Sequence, residues 1–140
     1  MFINLIDFGA EHLPCRKHPG DFGADIYAPK DYTVKPHTCV DILVGWGIEV
    51  PNGFGGYIEP RGSMGNIGLL PVSNPIDSNF RGEVHAVMWN ISDKVITINK
   101  GDRFAQLVIR SGDISSFSCI KPEQASVTDR GDGHFGSTGR

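Results

Sequence analysis

Paired cysteines, basic runs and long apolar stretches are all missing from this sequence, and each absence removes a class of function. The three cysteines, Cys15, Cys39 and Cys119, are odd in number, far apart and without a C-x-x-C pair. That excludes a disulfide scaffold or a zinc ribbon and points to a reducing, cytoplasmic setting. Cys15 and His18 would make only half of a metal site, with no matching second pair. A net charge of −3 leaves no basic field to hold a nucleic-acid polymer. No stretch reaches the roughly 20 apolar residues that span a membrane. The opening Met1 to Asp7 has no basic leader or small-residue cleavage site, so it reads as a first strand rather than a signal peptide. Helical periodicity is scarce as well, and no internal repeat is visible.

What the sequence does have is turn chemistry. Among 140 residues, 18 are glycine and 9 proline, against a hydrophobic fraction of 39%. That balance suits one domain of short strands joined by tight turns. Period-two runs recur at Tyr32 to Val34, Cys39 to Val50, Phe54 to Glu59, Val84 to Asn90, Val95 to Ile98 and Phe104 to Ile109. Between them lie Pro51-Asn-Gly53, Asn74-Pro75, Ser92-Asp93 and Lys100-Gly-Asp102. The spacing predicts an all-β chain, a jelly roll or a similar double-sheet barrel, with one short helical turn around Ser63 to Asn66. In Glu83 to Asn90 both faces carry apolar residues, which suits a strand between a core and a subunit contact.

The chemistry-bearing residues fall in clusters. Gly23-Ala-Asp-Ile-Tyr-Ala28 holds Asp25 between small residues at a strand start, where a turn aspartate is the plain alternative. Glu59-Pro-Arg-Gly-Ser-Met-Gly65 presents Arg61, the N–H groups of the Gly62 turn and the Ser63 hydroxyl to one anion. Ser73 to Glu83 places Asp77 and Phe80 in a hairpin, and its Asp, Ser and Asn residues are also ordinary turn formers. In Asn99 to Ile109, Gln106 sits among apolar neighbours, a poor place for an amide without a partner. The tail, Arg130 to Arg140, combines glycines with Arg130, Phe135, Gly136, Ser137 and Thr138. Glycine lets N–H groups approach a phosphate, the hydroxyls donate to it, arginine pairs with it as a fork and the ring stacks on a base. A disordered terminus has a similar composition.

In their order and wording these clusters resemble the five motifs of the trimeric deoxyuridine triphosphate nucleotidohydrolases (dUTPases), over residues 23 to 139. The resemblance implies a distorted jelly-roll β-barrel, residues 1–127, and a flexible C-terminal lid, residues 128–140. It implies a homotrimer whose tail is exchanged between subunits and whose sites draw on all three copies. The implied reaction is hydrolysis of dUTP to dUMP and pyrophosphate, with Mg²⁺ held by the phosphates and water. Carried over residue by residue, Asp77 is the general base for water attacking the α-phosphorus. Arg61, Gly62, Ser63 and Gln106 hold the phosphates, and Asp25 supports them from behind. Asn74, Pro75, Ile76 and His85 line the uracil site, whose main-chain groups near Ile76 and His85 read the base. Phe80 excludes a 2′-hydroxyl, Phe135 stacks on uracil, and Arg130, Gly136, Ser137 and Thr138 close over the phosphates. No nucleic-acid polymer or membrane partner is implied.

The chain departs from the family pattern at four places. Gly62 separates Arg61 from Ser63, where serine usually follows directly, and Asn74 stands where glycine is usual. Phe80 replaces the commoner tyrosine, and His134 a tail glycine. Two other readings use the same residues: a dUTP-binding regulatory protein with weak or absent catalysis, and a related dCTP deaminase.

Overall fold

The computed structural model describes residues 1–72, 74–134, 136, 138 and 139. Among them the chain is all-β with little helix. Its strands are β1 (Leu5–Asp7), β2 (Ala24–Tyr27), β3 (Tyr32–Val34), β4 (Cys39–Leu43), β5 (Trp46–Ile48), β6 (Phe54–Pro60), β7 (Leu69–Pro71), β8 (His85–Asn90), β9 (Ile96–Ile98) and β10 (Arg103–Ser111). One helical turn, α1 (Gly62–Asn66), and a short 3-10 turn at Pro122–Gln124 complete the elements. No helix is long and apolar enough to cross a membrane.

All strand pairings are antiparallel, in the groups β1-β5, β2-β10-β6, β3-β9 and β4-β8-β7. Alternation puts one apolar set inward from each: Ala24 and Ile26 from β2, Ile42 from β4, Ala86 and Met88 from β8, Ile96 and Ile98 from β9. They meet Trp46, Leu69 and Phe104 in a single core cluster. β10 lies between β2 and β6 and buries Phe104, Ala105, Leu107 and Val108.

The expected run from Cys39 to Val50 is two strands, not one. Gly45 breaks it with a φ of 80°, and a Cβ there would meet the Ala10 backbone at 2.9 Å. β7 is absent from the sequence reading because Leu69–Pro71 is too short to show a period. The predicted helical turn is present one residue earlier, as α1.

Asn90 is the one fully buried polar residue in the core. Its amide donates to the carbonyls of Val34 (3.0 Å) and Lys94 (2.7 Å), and its Oδ1 accepts from the N–H and hydroxyl of Ser92. It thereby ties the end of β8 to β3 and to the turn before β9. At the opposite surface, Lys100 Nζ donates to Glu11 at 2.7 Å. That hydrogen bond holds the Glu11 carboxyl below, and the Lys100 ammonium above, their ordinary pKa.

Asn90→Ala takes a donor from the Val34 and Lys94 carbonyls and the acceptor from the Ser92 N–H, leaving the Ser92 hydroxyl to the Lys94 carbonyl at 3.1 Å. We expect a loss of about 2–3 kcal/mol in stability, read as a lower urea midpoint at fixed protein concentration.

Candidate active site

The sequence-predicted residues collect around two separate cavities. The first, about 280 Å³, is lined by Ile58, Val72, Asn74, Pro75, Ile76, Asp77, Phe80, Val84 and His85. The loop from β7 to β8 forms its wall, and one isolated bridge fastens that loop to the sheet: Ile76 N–H donates to Gly56 O at 2.6 Å, and Gly56 N–H donates back at 3.0 Å. A turn closed by Phe80 N–H on Asp77 O (3.1 Å) follows, leaving Asp77 exposed beside the cavity. The Phe80 ring lies so close over Gly82 that a Cβ there would meet Cζ at 2.7 Å.

The bridge spends the N–H and C=O of Ile76 on Gly56, so a free main-chain donor or acceptor near it has to come from its neighbours. His85 is different. Val84 exchanges its main-chain bonds with Val44 and Trp46, so strand alternation turns the N–H and C=O of His85 to the other edge. That is the edge on which Val87 O accepts from Val72 N–H and on which the cavity opens. The His85 imidazole itself pairs with Asp41 on β4, Nδ1 to Oδ2 at 2.9 Å.

The second cavity, about 570 Å³, is lined by cationic and acidic side chains from β2, β6, β10 and the loop before β2. Asp25, Gln106 and Glu59 stand side by side across the β2-β10-β6 sheet, because Gln106 is registered with Asp25 on one side and Glu59 on the other. Asp25 is 15% exposed and holds two arginines, Arg61 Nε at 2.9 Å and Arg103 Nη1 at 3.2 Å. Arg61 Nη1 also donates to the Arg103 carbonyl at 2.9 Å. The guanidinium is therefore locked on its Nε side and presents its Nη2 edge without a partner among the described residues. Gln106 answers the question of its burial by donating Nε2 to Pro60 O at 2.9 Å, which leaves its carbonyl oxygen over Gly23.

Gly62 lines this cavity, and as the first residue of α1 its N–H has no intrahelical acceptor. Ser63 is exposed in the same turn but lines neither cavity. Arg130, Gly136 and Thr138 are exposed and likewise outside both cavities. Phe135 and Ser137 lie outside the described residues. The two cavities share no lining residue. Among the described residues, one gathers an acid, a ring and a main-chain edge without a partner, and the other gathers cations and an amide.

Residues 10–139 of the chain match the dUTPase family. This chain belongs to the dUTPase family. It is 34% identical over 134 residues to the deoxyuridine 5′-triphosphate nucleotidohydrolase of Mycolicibacterium gilvum, covering 91% of this chain and 87% of that one. The Corynebacterium glutamicum protein of the same name is 38% identical over 132 residues, with 91% and 87% covered. Among solved structures, a mutant Staphylococcus bacteriophage 80alpha dUTPase with dUpNHpp superposes with a TM-score of 0.86 at 22% identity, covering 99% of both chains. A mutant dUTPase of phage phi11 of S. aureus, described with a structural Mg(II) ion, gives 0.76 at 20% identity over 86% of this chain and 97% of that one. At such identities the structural likeness speaks to the fold.

For a dUTPase-family chain the sequence pattern leaves out Arg103, Glu59 and Arg110, all of which line the cationic cavity. Arg103 carries a signal, since it stands in the same Lys100 to Ile109 cluster as Gln106. Its pairing with Asp25, 78 residues away, is visible only in three dimensions.

Gly23→Ala tests the close approach beneath Gln106, because the added methyl would lie 2.1 Å from Oε1. We expect the amide to swing off Pro60 O at a cost of about 1–3 kcal/mol, seen in a variant crystal structure and a lower melting temperature.

Proposed function

We propose that this chain hydrolyses dUTP to dUMP and pyrophosphate as a homotrimer whose active sites lie between copies. The observation that carries this reading is the division of the site residues between two cavities that share no lining residue. A nucleotide needs its base, its sugar and all of its phosphates held at once. The Asp77 cavity of one copy and the Arg61 cavity of a neighbour supply the two halves. The relatives' name, deoxyuridine 5′-triphosphate nucleotidohydrolase, and the dUpNHpp in the phage 80alpha dUTPase support the substrate class.

Two surfaces support assembly. The outward side of β4-β8-β7 exposes Leu43 and Trp89, the latter paired across the strands with Cys39. Beyond β10, every residue from 111 to 132 is exposed, including Ile114, Phe117, Ile120 and Val127. An arm with four bare apolar side chains is stabilised by burial on another copy. In this reading residues 1–127 form the jelly-roll body and residues 128–140 the lid. Arg130, Phe135, Ser137 and Thr138 then close over a neighbour's phosphates and base. The three exposed, unpaired thiols suit a cytoplasmic protein.

Asp77 accepts the proton of the attacking water, the new P–O bond forms at the α-phosphorus, and the bond to the bridging oxygen breaks to release pyrophosphate. A carboxylate exposed at a cavity mouth, with no cation paired to it among the described residues, is free to act as acceptor. Arg61 and Gln106, held by Asp25 and Pro60, are pre-set donors for phosphoryl oxygens on which charge accumulates. Phe80 closes the sugar side against a 2′-hydroxyl. The main-chain edge of His85 offers a donor and an acceptor to the base, which cytosine would leave mispaired. Magnesium fits this arrangement through the substrate. Among the described residues no three His, Cys, Asp or Glu side chains converge on a metal site, and Mg²⁺ takes phosphate oxygens while keeping several waters. When bound it neutralises phosphate charge.

Asp77→Asn should retain binding of a non-hydrolysable dUTP analogue but lower pyrophosphate release at least ~10²-fold. Near-normal turnover would remove Asp77 from this role. Wild-type protein that binds the analogue yet releases no pyrophosphate would favour the regulatory reading, and ammonia from dCTP the deaminase.

Sharing between copies has its own test. Asp77→Asn and Arg61→Ala proteins, each inactive, are unfolded together in equal amounts and refolded. If Asp77 and Arg61 come from different copies, about one quarter of the sites carry both native residues and activity returns in proportion. No recovery would mean that both residues serve one site from a single chain.

A further inference from the structure

Four cations line the 570 Å³ cavity: Lys17, Arg61, Arg103 and Arg110. Three are already paired. Arg61 and Arg103 share Asp25, and Arg110 holds Glu59 at 2.9 Å while stacking on Tyr57 with its guanidinium carbon 5.1 Å from the ring centroid. The remaining carboxylate of the wall, Asp21, accepts the His18 N–H at 2.8 Å and faces His18 Nδ1 at 3.4 Å. Among the described residues Lys17 has no carboxylate partner, so it brings three unused N–H donors and a full charge to the wall.

The loop carrying Lys17 is built to hold it there. Cys15 and Asp25 exchange main-chain bonds at 3.2 and 2.8 Å and close the loop at its base. Within it, Asp21 N–H donates to His18 O across Pro19-Gly20, whose glycine takes the φ of 92° that such a turn requires. Arg16 Nε donates to Asp21 O at 2.8 Å and braces the same loop from outside. The backbone under Lys17 is thus cross-linked while its side chain is uncommitted, an arrangement that lowers the ordering cost of binding an anion.

We propose that Lys17 is a substrate-binding residue for the pyrophosphate portion of the nucleotide. The inference rests on the reading above that this cavity takes the triphosphate. In that reading the nucleoside and α-phosphorus belong to the Asp77 cavity of a neighbouring copy, so the cationic cavity receives the rest of the phosphate chain. The arginines there give part of their charge to Asp25 and Glu59. Lys17 adds a cation that no carboxylate offsets, and a triphosphate gains from it where a monophosphate does not.

The test compares Lys17→Met and Lys17→Arg with wild type as intact, full-length protein, matched by circular dichroism and melting temperature. Calorimetry measures α,β-imido-dUTP and dUMP binding in Mg²⁺, and pyrophosphate release gives KM and kcat for dUTP. We expect Lys17→Met to weaken the imido analogue and raise KM about 10-fold, as for loss of a charge-assisted hydrogen bond. It should leave the dUMP affinity unchanged, and Lys17→Arg should restore most of the loss. Unchanged analogue affinity in Lys17→Met, or an equal loss for dUMP, overturns the proposal. If instead wild type itself releases no pyrophosphate from dUTP, the function proposed above fails, and that outcome is separate from the Lys17 comparison.

Discussion

The Asp25 carboxylate is the hinge of the cationic cavity. It is mostly buried, it lies on β2 at the edge of the β2-β10-β6 sheet, and it binds two guanidinium groups, Arg103 from β10 and Arg61 from the junction between β6 and α1. Without it, Arg61 and Arg103 would face each other as like charges in a partly desolvated site. With it, Arg61 is locked along one edge and open along the other. A side chain that carries its own rotamer constraint loses little entropy on meeting a phosphate, and that preorganisation is what a hydrolase of polyphosphates draws on. The neighbouring Gln106 obeys the same logic, anchored by Pro60 and seated over a glycine that leaves it room.

The second constraint is one of separation. The cavity with Asp77 and Phe80 and the cavity with Arg61 and Gln106 share no lining residue. β6 contributes to both, with Ile58 in the first and Glu59 and Pro60 in the second. In the proposed reading a single chain offers a base-and-water half at one cavity and a phosphate half at the other. The bare arm beyond β10 and the apolar outer side of β8 fit the same picture, in which the proposed assembly completes what one copy leaves open.

Much of the fold was legible in the pattern. Alternation through Val84, Ala86 and Met88 marks the buried side of β8, and the glycine-rich punctuation marks an all-β chain. The breaks were less legible. Nothing in the run from Cys39 to Val50 says that Gly45 must turn the chain beside Ala10, because that requirement comes from a neighbour distant in sequence. At the site, Asp25, Arg61 and Gln106 were legible as clusters, and their convergence follows from strand register. The bridge that spends the N–H and C=O of Ile76 on Gly56 was not legible either, since it joins the loop to a strand elsewhere in the chain.

Residue types and their order determined by themselves the family, the all-β class and the acid, ring and arginine to which the proposed chemistry is assigned, since each needs a particular side chain at a particular step along the chain. Only the tertiary structure decided which groups are spent and which are free: Ile76 tied to Gly56, Arg103 drawn to Asp25 and, among the described residues, the His85 main chain and the Lys17 ammonium left without a partner. Hydrogen bonds and ion pairs between residues tens of positions apart leave no local mark on composition or period. They appear only when strand pairing brings the partners within reach.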